Sequence, residues 1–218
     1  MTQVTASTIR IPSRRAELAL AALLCVAGTA HGAAGDAPRA VVQRLADQVL
    51  VILRDKQLSS DAKRSRIETV VYANVDFDTL SQLVLARYWS RFTPAEQARF
   101  TSEFKRHLSV TYGKSVDNYR NEQVDIMSDR EEARGDWTVK TKILRGGPDD
   151  ILVNYRLRQV DGEWRIIDFV VEGVSLVANF RSQFQDLLAS KSPGELIQLI
   201  HEKNEKGESF EKGGAQRS

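Results

Sequence analysis

Residues 137–171 read WTVKTKILRGGPDDILVNYRLRQVDGEWRIIDFVV. Trp137, Val139, Thr141 and Ile143 alternate with Thr138, Lys140 and Lys142. After a Gly-Gly-Pro-Asp-Asp turn, Ile151, Val153, Tyr155 and Leu157 alternate with Asn154, Arg156 and Arg158. A strand points successive side chains to opposite faces, so each run carries one apolar and one charged face. Asp161-Gly162 is a two-residue hairpin signal and leads into a strand from Glu163 to about Val171. Both faces of that strand are apolar, with Trp164, Ile166 and Val170 on one and Ile167, Phe169 and Val171 on the other, which predicts the most buried strand. Val124 and Ile126 predict one more strand upstream, followed by a polar loop over 128–136. The segment is an antiparallel meander with one greasy face.

Helical patterns flank it. Val42, Leu45, Val49, Ile52 and Leu53 share a face of a helix that starts near Asp36 and Pro38 and runs to Lys56. Ser59-Ser60-Asp61 starts a second helix, with Ile67, Val70 and Val71 inward. Asp76-Phe77-Asp78 starts a third, carrying Leu80, Leu83, Val84 and Tyr88. Thr93-Pro94-Ala95-Glu96 is a capping box with proline at the first helical position. It opens a long helix to about Tyr119, along which Phe100, Phe104, Leu108, Tyr112 and Val116 recur every four residues. Downstream, Gly173 and Ser175 end the last strand and cap a helix with Leu176, Phe180, Phe184, Leu187 and Leu188 in its stripe. Ser192-Pro193-Gly194-Glu195 starts a final helix. Residues 205–218 are charged and Gly-rich and read as a disordered tail. Helices first and a meander after them make the class α+β.

The first 32 residues differ from the rest. Arg10, Arg14 and Arg15 precede an apolar run over 18–30, and Ala30-His31-Gly32 supplies the small residues a signal peptidase reads, with cleavage near Ala33. Glu17 stands where a twin-arginine signal has an aromatic, which favours the general secretory route. The mature chain is then a single domain over 33–204 plus the tail, and Cys25, the single cysteine, leaves with the signal. Disulfides, thiolate metal sites and cysteine nucleophiles go with it. Removing residues 1–32 leaves 28 basic and 28 acidic side chains, a balance with no overall bias toward nucleic acid. The run over 18–30 falls short of the roughly 20 residues that span a bilayer.

Signals for catalysis are thin. After cleavage His107 and His201 remain, and no pair of residues has metal-ligand spacing. No P-loop, dinucleotide fingerprint or nucleophile elbow occurs, and no cofactor is implied. Ser175 reads as a helix cap. Asp168, in the most apolar strand, is the one carboxylate with a chemical alternative, since a buried aspartate in a cone-shaped α+β fold can abstract a proton. Its simpler reading is a carboxylate paired with an arginine or a backbone donor. The excess apolar surface either fills a plain core, as in an interaction protein, or lines a pocket, and periodicity does not separate the two.

Tyr88-Trp89-Ser90-Arg91-Phe92-Thr93-Pro94-Ala95-Glu96-Gln97, with Phe100, Phe104 and Tyr112-Gly113, resembles the periplasmic phospholipid-binding MlaC family, also called the toluene-tolerance family. Asp161-Gly162-Glu163-Trp164-Arg165-Ile166-Ile167-Asp168, Glu172-Gly173-Val174-Ser175-Leu176 and Phe180-Arg181-Ser182-Gln183-Phe184 resemble its second half, the Glu-Gly-Val-Ser block most specifically. A sister group tied to hopanoid synthesis shares the outline but usually differs at that block.

The resemblance implies a twisted antiparallel sheet wrapped by helices around a hydrophobic pocket, with an NTF2-like outline. It implies a periplasmic carrier of diacyl phospholipid working between an outer-membrane lipoprotein–porin complex and an inner-membrane ABC transporter with an MCE-domain ring. With acyl chains between sheet and helices, side-chain facing gives the expected lining as Tyr112, Val116, Val139, Ile143, Val153, Tyr155, Leu157, Val174 and Leu176. A hopanoid carrier and a proton-transfer enzyme using Asp168 are the alternatives.

Overall fold

The Asp161-Gly162 turn forms as its sequence requires. Both residues have positive φ, 50° and 83°, the combination that matches the twist of the strands it joins and that glycine adopts without steric cost. It connects two strands of a computed structural model that describes residues 37–146, 148 and 150–210. The expected export signal and cleavage point, and residues 211–218 of the expected tail, lie outside the described residues. The elements run α1 (Pro38–Arg54), α2 (Ser60–Asn74), α3 (Phe77–Leu85), α4 (Pro94–Tyr112), β1 (Gln123–Glu131), β2 (Trp137–Leu144), β3 (Ile151–Val160), β4 (Glu163–Val171), β5 (Val174–Ser175), α5 (Leu176–Leu188) and α6 (Pro193–Lys206). The five strands form one antiparallel sheet in sequence order. The class is α+β.

The caps form where their residues predict. Thr93 accepts from the Glu96 amide while the Glu96 carboxylate accepts from the Thr93 amide, and Ser192 and Glu195 repeat the pattern at α6. These bonds hold both glutamates below the usual carboxylate range. Ser59, Asp76 and Ser175 cap α2, α3 and α5.

Four expectations need correction. The long helix stops at Tyr112 and continues only as a 3-10 turn over Gly113–Asn118, because glycine holds helical geometry poorly. β1 runs through to Glu131, past a bulge between Ile126 and Ser128, where a polar loop was expected. β4 does not alternate strictly: Leu157 pairs with Ile166 and Tyr155 with Phe169, so the bulge between them puts Ile166 and Phe169 on one face. The ordered chain also outruns residue 204. Helix α6 reaches Lys206, Gly207 closes it at φ 66°, and the next residues fold back until the Phe210 ring meets His107 (5.0 Å) and Phe184 (5.4 Å).

The core has two joined parts. Phe100 and Phe104 of α4 and Phe180 and Phe184 of α5 form an aromatic cluster with centroid spacings of 5.0–5.7 Å, closed by Leu196, Ile197 and Ile200 of α6. Val41, Val42 and Leu45 of α1 join Ile126, Val139, Leu157 and Ile166 of the sheet in the same core. His107 of α4 is fully buried: its Nδ1 lies 2.9 Å from Asn204 Oδ1. The Asn204 amide donates to the backbone carbonyl and carboxylate of Glu103.

Candidate functional site

The register gathers five of the nine expected residues on one sheet face. Trp137 is opposite Leu157, Val139 opposite Tyr155, Thr141 opposite Val153, and Ile143 opposite Ile151. On the far side of β3, Leu157, Tyr155 and Val153 face Ile166, Phe169 and Val171. The face is therefore apolar across β2, β3 and β4. The core covers part of it. Val139 and Leu157 belong to that core, and Tyr155 and Phe169 pack against it with rings 5.5 Å apart. Ile143 and Val153 are not part of it, although Val153 is only 7% exposed. Thr141 satisfies its own hydroxyl within this face by donating to the Val153 carbonyl (2.9 Å). Tyr155 is half-buried, yet its hydroxyl is far enough from water that burial pushes its pKa up to about 12, against a smaller opposing effect from its bond to Thr141. It stays a neutral phenol at any physiological pH.

The other four residues come from the end of α4, the turn after it, β5 and the start of α5. Val116 is half-buried in the 3-10 turn after α4. Three residues on, Tyr119 accepts from Arg54 at the C-terminus of α1 (3.2 Å), which ties that turn to the end of α1. Tyr112 closes α4 and is 41% exposed. Leu176 is half-buried and packs on the core from the first turn of α5. Val174 pairs with Val171 on the sheet edge and is 62% exposed, so it borders solvent instead of an interior.

Asp168 lies on the other, charged face, opposite Arg156. It is fully buried and its oxygens are taken: the Ser175 hydroxyl donates to one (2.6 Å) and the Val177 amide to the other (3.0 Å), with Arg156 at 3.8 Å. Ser175 in turn accepts from the Ala178 amide (3.0 Å). This is the paired carboxylate of the simpler reading, and its work is to anchor the start of α5. Asp168→Asn turns one acceptor into a donor facing a donor. It should cost about 1–3 kcal/mol, seen as a lower Tm, and leave uptake of the phospholipid that the resemblance implies unchanged. Loss of that uptake from a folded Asp168→Asn protein would place this residue in the site. Beside it, Asp136 receives a two-point contact from Arg158 (2.7 and 2.8 Å), a neutralised pair on the same face.

Two surface grooves lie away from these residues. One, of about 470 Å³, is lined by Val41, Arg44, Gln48, Asn74, Trp164 and Arg165 among others; the other lies along α6. Among the described residues no cluster of His, Cys, Asp and Glu could hold a metal ion, and no helix is long and apolar enough to cross a membrane.

The family model described as MlaC protein matches residues 43–202. The chain belongs to the MlaC family. Among MlaC relatives, the Toluene tolerance protein ttg2D of Pseudomonas putida is 28% identical over 115 residues, 52% of this chain and 54% of that protein, so the match spans about half the length of that relative. The Intermembrane phospholipid transport system binding protein MlaC of Haemophilus influenzae is 22% identical over 170 residues, 73% of this chain and 78% of that protein. Among solved structures, the phospholipid-binding protein from Ralstonia solanacearum, in complex with a phospholipid, aligns with a TM-score of 0.70 and 26% identity over 78% of this chain and 97% of that one. The MlaC-like fold expected from the sequence is the fold observed.

Sequence reasoning missed the bulge in β4, which decides that Phe169 shares the face of Tyr155. An Asp at position 168 inside an apolar run was the available sign, since strict alternation would have put it beside Trp164 and Ile166 on an apolar face.

Proposed function

We propose that this chain is a periplasmic carrier of diacyl phospholipid that holds the acyl chains against the sheet and beneath the helices. One observation carries the reading. The apolar sheet face outruns the main apolar cluster: beyond Val139 and Leu157 it continues through the buried Val153 and the half-buried Ile143, neither of which belongs to that cluster. The phospholipid-bound structural neighbour and the transport-system relative support a lipid as the occupant. The physical need is large. At about 0.8 kcal/mol per methylene, a lipid with roughly 30 of them would cost over about 20 kcal/mol to expose to water. A cleft that shields the tails removes most of that cost and leaves the headgroup in water, so no charged clamp is needed. The protein carries lipid and does not turn it over.

The fuller reading follows the family. The exported chain shuttles lipid between an outer-membrane lipoprotein–porin complex and an inner-membrane ABC transporter with an MCE-domain ring. The export signal read at 1–32 supports the compartment. Native mass spectrometry of the purified protein, with organic extraction of what accompanies it, tests the occupant. Diacyl phospholipid near one per chain is the expected result. A hopanoid would transfer the protein to the sister reading, and an empty protein that takes up no spin-labelled fatty acid would make it an adaptor with a filled core.

A further inference from the structure

One row of paired residues crosses the sheet from edge to edge: Ile126, Thr141, Val153, Val171 and Val174. The first three are buried, Val171 is 44% exposed and Val174 62%. The row thus leads from the interior to solvent without meeting a charged side chain. Val171 and Val174 flank the Glu172-Gly173 turn, whose φ values of 49° and 81° keep the crossing to two residues. β5 is itself only two residues long before Ser175 turns the chain into α5.

The opposite edge is shut. β1 carries Asp125, Asp129, Arg130 and Glu131. Arg39 of α1 reaches over it to the Ile126 carbonyl (2.9 Å) and Asp129 (3.4 Å). The connector into β1 is tied at Tyr119 by Arg54 and at Glu122 by Arg145. An acyl chain leaving over β1 would have to displace these contacts and strip water from charges, which is costly. Over the β4–β5 edge it passes Val171 and Val174, and the one carboxylate of that turn, Glu172, already accepts from the Leu152 amide.

We propose that acyl chains enter and leave across the β4–β5 edge, with Val171 and Val174 as the threshold; this rests on the carrier reading above. Val174, expected to line the interior, is then the step between cleft and exterior. The test loads the protein with fluorescent phospholipid and follows transfer to vesicles of phosphatidylethanolamine and phosphatidylglycerol, as a rate per loaded protein. Val174→Asp puts a carboxylate on the path that must be desolvated at each passage, and transfer should slow about tenfold; Val171→Asp should act in the same direction. Met127→Asp, at the β1 bulge and equally exposed (56%), should transfer at the wild-type rate. These sites are on the surface, where substitutions perturb folding little. Wild-type transfer by both valine variants, or equal slowing by Met127→Asp, overturns the threshold and leaves the carrier standing. Wild-type protein that never loads lipid overturns the carrier reading and the threshold with it.

Discussion

Phe104→Ala should lower the stability of the fold by about 3–5 kcal/mol, a fall in Tm on the order of 10 °C for a domain of this size. Phe104 is fully buried and stacks on Phe100 at 5.5 Å, with Phe180 at 5.0 Å and Phe184 at 5.6 Å edge-on. Removing its ring costs the transfer free energy of the lost carbons and leaves a void, because interlocked rings relax only partly into the space. The surviving three rings come from two helices, so the junction of α4 with α5 loosens as a unit. Thermal or urea unfolding of the lipid-free protein measures it. A loss under about 1 kcal/mol would mean the cluster collapses around the gap far better than packed cores do.

Val153→Trp should act in the reverse manner, emptying the protein of lipid while sparing the fold. Val153 points to the apolar face between Thr141 and Val171 and is buried there, but apart from the main apolar cluster. If acyl chains fill the space there, an indole competes with ligand and not with protein atoms, and co-purifying phospholipid should drop by most of its amount at nearly constant apo Tm. In a site already packed with side chains the same enlargement costs about 1–3 kcal/mol. The two readings therefore differ in which quantity moves. A clear fall in apo Tm with lipid content unchanged would make Val153 ordinary core. Comparing apo proteins is essential, since bound lipid stabilises by mass action and its loss alone lowers the wild-type reference.

Much of the architecture was legible because it is written in local periods. The alternations over Trp137–Leu144 and Ile151–Val160, the Asp-Gly turn and the Thr93 and Ser192 caps each depend on residues a few positions apart. What was not legible depends on distant partners. His107 looks like a surface residue until Asn204 and Phe210, about a hundred positions later, are placed against it. The β4 bulge is set by pairing with β3, and the exposure of Val174 by how short β5 is. Of the candidate lining, facing assigned Val139, Ile143, Val153, Tyr155 and Leu157 to one surface, as the pairing has them, but where the apolar cluster stops along that surface depends on which distant residues of α1 and the other helices pack onto it.

The fold-back of Phe210 onto His107 and Phe184 bears on how the molecule is made. A chain made from its N-terminus delivers α6 and Phe210 after every other element of this core. The aromatic cluster of α4 and α5 is not sealed until those residues have emerged, since α6 and the Phe210 ring pack against it. The order of the elements along the chain therefore sets the order of events: the strands and the first five helices can gather early, and the aromatic half of the core is completed by the residues that come about a hundred positions after the helix they cover.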